Sequence, residues 1–175
     1  VGNTGAGVVI AVLDSGVDTD HPDLAGAIVH QACFLDQDGT IDGVGFCPNG
    51  SDRQVGPGAA EDDFGHGTHV TGIAASRGNV SGAGVAPGAS VEAIKVLDNS
   101  NTFYFVSEII AALDYLITDQ PDVRVVNMSL GTFATYPGDC DNASATTIAG
   151  AAAIDLLRGR GTVTFAASGN FSLSD

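Results

Sequence analysis

Basic side chains are scarce in this chain. Only 6 lysines and arginines stand against 21 aspartates and glutamates in 175 residues, a formal net charge of −15 with a sequence pI near 4.1. A surface of that sign repels nucleic acid and anionic lipid, which excludes both as natural partners. Long hydrophobic runs are missing too, since none reaches the roughly 20 residues a membrane helix needs. The opening "VGNTGAGVVIAVLD" lacks the basic region of a signal peptide and runs almost directly into a strand, so a cut or processed start is expected. Cysteine is limited to Cys33, Cys47 and Cys140, an odd number. Cys33 and Cys47 bracket "CFLDQDGTIDGVGFC" and suit a disulfide in a secreted, extracellular protein. Cys140 is then a free thiol or the partner of sequence not present here. What is plentiful is apolar: 44% hydrophobic residues allow one globular domain with a real core.

Four runs have strand length and β-branched character: "GVVIAVLD" (7–14), "SVEAIKVL" (90–97), "VRVVNMSL" (123–130) and "TVTFAAS" (162–168). They are close to continuously apolar, as strands covered on both faces are. Between them, "VSEIIAALDYLITD" carries a helical stripe of Val106, Ile109, Ile110, Leu113, Leu116 and Ile117 and ends before Pro121. "SATTIAGAAAIDLLRGRG" (144–161) and "HGTHVTGIAAS" (66–76) read as two further helices. Alternation of strand and helix predicts an α/β fold in three layers, a mainly parallel sheet with helices on both faces. The stretch 33–64, dense in Asp, Gly and Pro, reads as a surface excursion.

In such a sheet, functional residues gather beyond the carboxyl ends of the strands. The first strand ends in Asp14, the third runs out at Ser129-Leu130-Gly131, and the fourth at Gly169-Asn170. "DDFGHGTHVTGI" (62–73) adds His66 and His69 three residues apart. A zinc site of the H-E-x-x-H type would need a spacing of four and an intervening glutamate, and has neither. An ionisable Asp14 closing a buried strand demands a partner. An aspartate that orients a histidine, which in turn serves as base, is the supporting half of a nucleophile-activating triad. Asn170, on a glycine turn past a strand, can hold an amide donor toward a developing oxyanion.

Five segments, "AVLDSGVDTDHPDL", "GHGTHVTG", "GVAPGASVEAIKVL", "VNMSLG" and "FAASGN", occur in the order and approximate spacing of subtilisin-like serine proteases, and nearly the whole chain resembles that family. The resemblance implies a subtilase fold that hydrolyses peptide bonds. It makes Asp14 the orienting carboxylate, His66 the general base and Asn170 the oxyanion donor, with His69 packed structurally in its helix. Gly65 and Gly67 would let the chain turn tightly around His66. Ser129, Leu130 and Gly131 would pair substrate backbone in an extended mode, with Leu97 also substrate-binding and "NSNTFYF" (99–105) as the opposite strand, where Phe103, Tyr104 or Phe105 lines a more distant pocket or packs in the core. The family places Asp, His and Ser in that order along the chain, yet no serine here stands in a Gly-Thr-Ser-x-Ala-type turn. The expectation is therefore a partial peptidase domain over 1–175, incomplete at both ends. A companion fragment, or the remainder of the same domain, would supply the serine, and the isolated chain would self-associate. The competing reading is a catalytically inactive subtilase-like binding or assembly module, which has no physical need for Asp14, His66 and Asn170 together.

No catalytic cofactor is implied. The resemblance does suggest a structural calcium, with Asp23 of "HPDL" and Asn79 of "SRGNVSGAG" in the places of its ligands. The run "DQDGTID", with Asp36, Asp38 and Asp42, resembles an EF-hand loop without its terminal glutamate and reads as a solvated loop.

Overall fold

The computed structural model describes residues 2–37, 43–132 and 138–170. Its elements in chain order are β1 (Val9–Asp14), β2 (Ile28–Phe34), β3 (Arg53–Val55), α1 (His66–Ala75), β4 (Ser90–Lys95), α2 (Val106–Asp119), β5 (Val123–Met128), α3 (Ala145–Gly159) and β6 (Val163–Ala166). The strands form a six-stranded sheet in the order β3-β2-β4-β1-β5-β6. Every pairing is parallel except that of β2 with β3.

Side chains alternate across each strand, so parity decides which layer a residue meets. Ala11 and Leu13 of β1 join Ala112, Leu113 and Leu116 of α2 and Leu157 of α3 in the larger core. Ile10 and Val12 pack with Ala75 and with Val70 and Ala74 of α1 on the other face. Three layers result, as the alternation of elements predicts. Because Asp14 shares the parity of Ile10 and Val12, the strand delivers it to the face that carries α1. The same count puts Glu92 beneath α2 and Lys95 on the α1 side.

Local chemistry sets the helix ends. Ser144 caps α3 by accepting from Thr147 N–H at 3.2 Å, and Glu108 reaches back to accept from the N–H that opens α2, that of Phe105, at 3.2 Å. Arg160, past the end of α3, donates to the carbonyls of Leu116 and Ile117 at 2.5 and 2.7 Å, satisfying the last turn of α2.

The stretch 33–64 departs from the expected surface excursion. It begins inside β2 and contains β3, and Cys33, Leu35, Cys47 and Ala59 form a small buried cluster closed by a Cys33–Cys47 disulfide. β2 escapes a periodicity reading because its first half, with His30 exposed, is only partly covered, while its second half is fully buried. Asp38 and Asp42 of the EF-hand-like run lie outside the described residues. Cys140 forms no disulfide within the described residues.

Candidate active site

Asp14 ends β1 with no exposure, and its Oδ1 lies 2.7 Å from His66 Nδ1, while the His66 ring keeps 35% of its surface. Ser15 N–H donates to the same Oδ1 at 2.7 Å, and Oδ2 is buried with no partner among the described residues. Burial raises the Asp14 pKa, against the opposing hydrogen bonds from His66 and Ser15. With Nδ1–H donated to the carboxylate, Nε2 is left as the basic nitrogen of the ring.

The approach of α1 to β1 is sterically tight. A Cβ at Gly67 would stand 2.0 Å from the Gly16 carbonyl oxygen and 3.0 Å from Asp14 Cβ, so only glycine lets the helix start against the strand end. Gly65 has φ 101, a left-handed conformation that aims the chain into α1 immediately before His66. Both glycines singled out in the motif thus have a geometric reason.

Lys95, in register with Asp14 on β4, is 2% exposed. Its Nζ donates to the carbonyls of Ser15 at 2.6 Å and Glu61 at 3.0 Å, and lies 3.3 Å from Asp63 Oδ2. The buried ammonium therefore ties the exit of β1 to the segment leading into α1, and its charge is partnered as burial requires. In sequence it passes as one polar residue in a strand; only the fold shows that it points at the site.

The other expected residues lie as follows. Asn170 is exposed beyond β6, after Gly169 with φ 104, at the same carboxyl edge and two strands along from β1. Ser129 follows β5 and accepts from Asn127 Nδ2 at 2.9 Å; Leu130 packs partly on the main core and Gly131 is exposed. Leu97 is buried in that core rather than lining open space. Tyr104 is half exposed, donates to Asp98 Oδ2 at 3.0 Å and stacks on Phe46 at 5.3 Å, whereas its neighbour Phe103 packs on the core. His69 is a correction: instead of being packed, it is exposed and lines a groove of about 530 Å³ with His21, Leu24, Ile73 and Val85. Its position in α1 turns it away from the sheet.

Asp23 and Asn79 do come together, but not as ligands of a hard cation. The Asp23 carboxylate accepts from the backbone N–H groups of Asn79, Val80 (2.9 Å) and Ser81 (2.9 Å) and from Ser81 Oγ at 2.5 Å. Asn79 Nδ2 donates to the Pro22 carbonyl at 2.7 Å. The Ser81 hydroxyl above all, with the backbone donors, holds the Asp23 pKa down at about 2 despite burial. Calcium needs converging oxygens, and here N–H groups converge on the carboxylate. These residues do not fit the ion. Among the described residues, no group of three or more His, Cys, Asp or Glu side chains is arranged to hold a metal.

A family model described as the subtilase family, of S8 peptidases, matches residues 5–175. The chain belongs to the subtilase family. Subtilisin E of Bacillus subtilis (strain 168) is 37% identical over 131 residues, 74% of this chain and 28% of its own length. Thermitase of Thermoactinomyces vulgaris is 39% identical over 129 residues, covering 73% of this chain and 38% of thermitase. Among solved structures, sphericase superposes with a TM-score of 0.74 at 29% identity, covering 98% of this chain and 49% of sphericase. The subtilase chain described here thus spans less than half the length of each of these relatives. Asp14 and His66, the pair joined at 2.7 Å, both lie within the residues matched by the family model.

Proposed function

We propose that this chain carries the acid and base of a serine endopeptidase that acts on polypeptides, with the nucleophilic hydroxyl supplied by residues outside these 175. The observation that carries the reading is the 2.7 Å contact between buried Asp14 and half-open His66. His66 Nε2 takes the hydroxyl proton as the oxygen attacks the scissile carbonyl, and later returns it to the leaving amine. Asp14 holds the ring in the tautomer that leaves Nε2 basic and stabilises the imidazolium once it forms. Asn170, at the same sheet edge, donates its amide to the tetrahedral oxyanion. Ser129 to Gly131, beyond β5, pair the extended substrate backbone.

The serine-bearing partner is a polypeptide that continues the sheet at β6, whose Val163 and Phe165 are 54% and 58% exposed. Apolar surface of that kind on a parallel edge strand, paired only with β5 among the described residues, is suited to burial against further chain. The Cys33–Cys47 disulfide supports a secreted, extracellular protein. Calcium has no part in the reading.

A fluorophosphonate probe tests it. The 175-residue chain should remain unlabelled, while the polypeptide that also contains the serine should be labelled and should hydrolyse casein. Asp14→Asn in that polypeptide should lower kcat by about 10⁴-fold, because the amide favours the wrong tautomer. Labelling of the 175-residue chain, or full activity of Asp14→Asn, would overturn the assignment.

A further inference from the structure

Asp62 lies four residues before His66, outside α1, and its carboxylate spans the gap between the elements that carry Asp14 and His66. Oδ1 accepts from Ser15 Oγ at 2.9 Å, from Phe64 N–H at 3.0 Å and from Gly65 N–H at 2.9 Å. Oδ2 accepts from the Thr68 N–H at 2.9 Å and from Thr68 Oγ1 at 2.5 Å. Ser15 Oγ in turn accepts from Gly67 N–H at 2.9 Å. The residues before and after His66, and the residue after Asp14, therefore hang on one side chain.

That side chain also does what the cap position cannot. Gly65 is the N-cap of α1 and has no side chain to accept from the first turn. Asp62 accepts from the third residue of the helix, Thr68, in its stead. A negative charge at that end also opposes the positive pole of the helix. Burial pushes the Asp62 pKa up, but the bonds from Gly65, Thr68 and Phe64 outweigh it and hold it down at about 2. The group is thus an anion wherever the protein is folded near neutrality.

We propose that Asp62 is a positioning residue for the Asp14–His66 pair: by tethering Ser15, Gly65 and Thr68 to one carboxylate, it fixes the start of α1 against the end of β1 and so aligns Nδ1 with Oδ1. The assignment rests on the proposed function only in calling that pair catalytic. Its alignment is a property of the chain itself.

Proton NMR of the 175-residue chain tests it. A charge-assisted bond as short as 2.7 Å should give His66 a low-field Nδ1 proton resonance, assigned by its loss in His66→Gln. In Asp62→Asn, where an amide would turn N–H toward N–H at Thr68, that resonance should vanish or move markedly upfield. The Leu13 and Ile94 methyl signals of the core should stay in place. If Asp62→Asn fails to fold, Ser15→Ala, which removes only the hydroxyl link to β1, should weaken the same resonance. An unchanged Nδ1 signal in either folded variant would overturn the proposal. In the serine-bearing polypeptide, Asp62→Asn should reduce kcat by up to about 100-fold with KM nearly unchanged. A kcat equal to the parent's would count against the proposal. If the resonance responds but the parent polypeptide hydrolyses nothing, the proposed function fails and the positioning role stands.

Discussion

Replacing Glu92 with glutamine should stabilise the protein by an amount that is absent in acid, grows as pH rises above 4.5 and is complete above about 7. Glu92 sits in the middle of β4 under α2 with no exposure; Oε1 accepts from the Tyr115 hydroxyl at 3.3 Å, and Oε2 is buried without a partner among the described residues. Gln120 Nε2 donates to the same tyrosine oxygen at 2.7 Å, so the network ends there. Burial pushes the carboxyl from its ordinary 4.5 to about 7, with the Tyr115 bond opposing, and burial with the nearby Glu92 charge pushes Tyr115 up to about 12. A carboxyl whose folded pKa lies above its unfolded one binds more protons in the folded state. Stability is therefore intact below 4.5, falls as pH rises through 4.5 to about 7, and stays reduced above. At 1.36 kcal/mol per pKa unit, that gap is worth about 3 kcal/mol, an upper figure since the fold can relax around the charge. Glutamine resembles the protonated acid and never ionises. Urea unfolding followed by far-ultraviolet circular dichroism at about pH 4 and pH 8.5 measures the difference. The variant and parent should match at the lower pH, and the variant should be more stable by about 1 to 3 kcal/mol at the higher. Taking the difference between them cancels the four histidines, which titrate in both proteins. Equal gains at both pH values, or a loss at pH 8.5, would refute the argument that ionisation of Glu92 is what costs stability.

Two further outcomes follow from the site. Gly67→Ala places a methyl against the Gly16 carbonyl, just past β1, and the Asp14 side chain that ends it, so thermal unfolding should report a loss of about 1–3 kcal/mol or more, and the His66 low-field resonance should be lost with it. Hydrogen exchange at the Asn79, Val80 and Ser81 amides should be unchanged by EDTA and abolished as a protected set in Asp23→Asn. In the parent, the protection should persist at pH 5 and fade only as pH falls from 3.8 toward about 2, because a carboxylate with a lowered pKa contributes above its unfolded value and loses that contribution on protonation. Loss of protection on chelation would restore the calcium reading.

The site was legible wherever chemistry depends on residue type at a strand or helix end. Asp14 and His66 could be picked out because an acid closing an apolar strand and a histidine between glycines are both costly without a purpose. The strands with continuous apolar runs were legible for a related reason, since both of their faces are covered. Glu92 and Lys95 were not, because one residue of register sends the first under α2 to an orphaned network and the second to the carbonyls around the site. Asp62 stood in plain view beside His66, but its role lies in bonds to backbone N–H groups and to Ser15, 47 positions away in sequence. β2 was hidden by its half-exposed start, and the Asp23 clasp by N–H donors that have no side-chain signature.

The two margins of the sheet are unequal. β3 runs against its neighbour and stops after three residues, which blunts that side for any incoming strand. β6 runs with the others, pairs only with β5 among the described residues and leaves Val163 and Phe165 exposed. A strand added to this sheet would therefore meet β6, which leads to Asn170, rather than β3 beside the disulfide. Under the proposed function, covering those side chains and furnishing the nucleophile would then be one event.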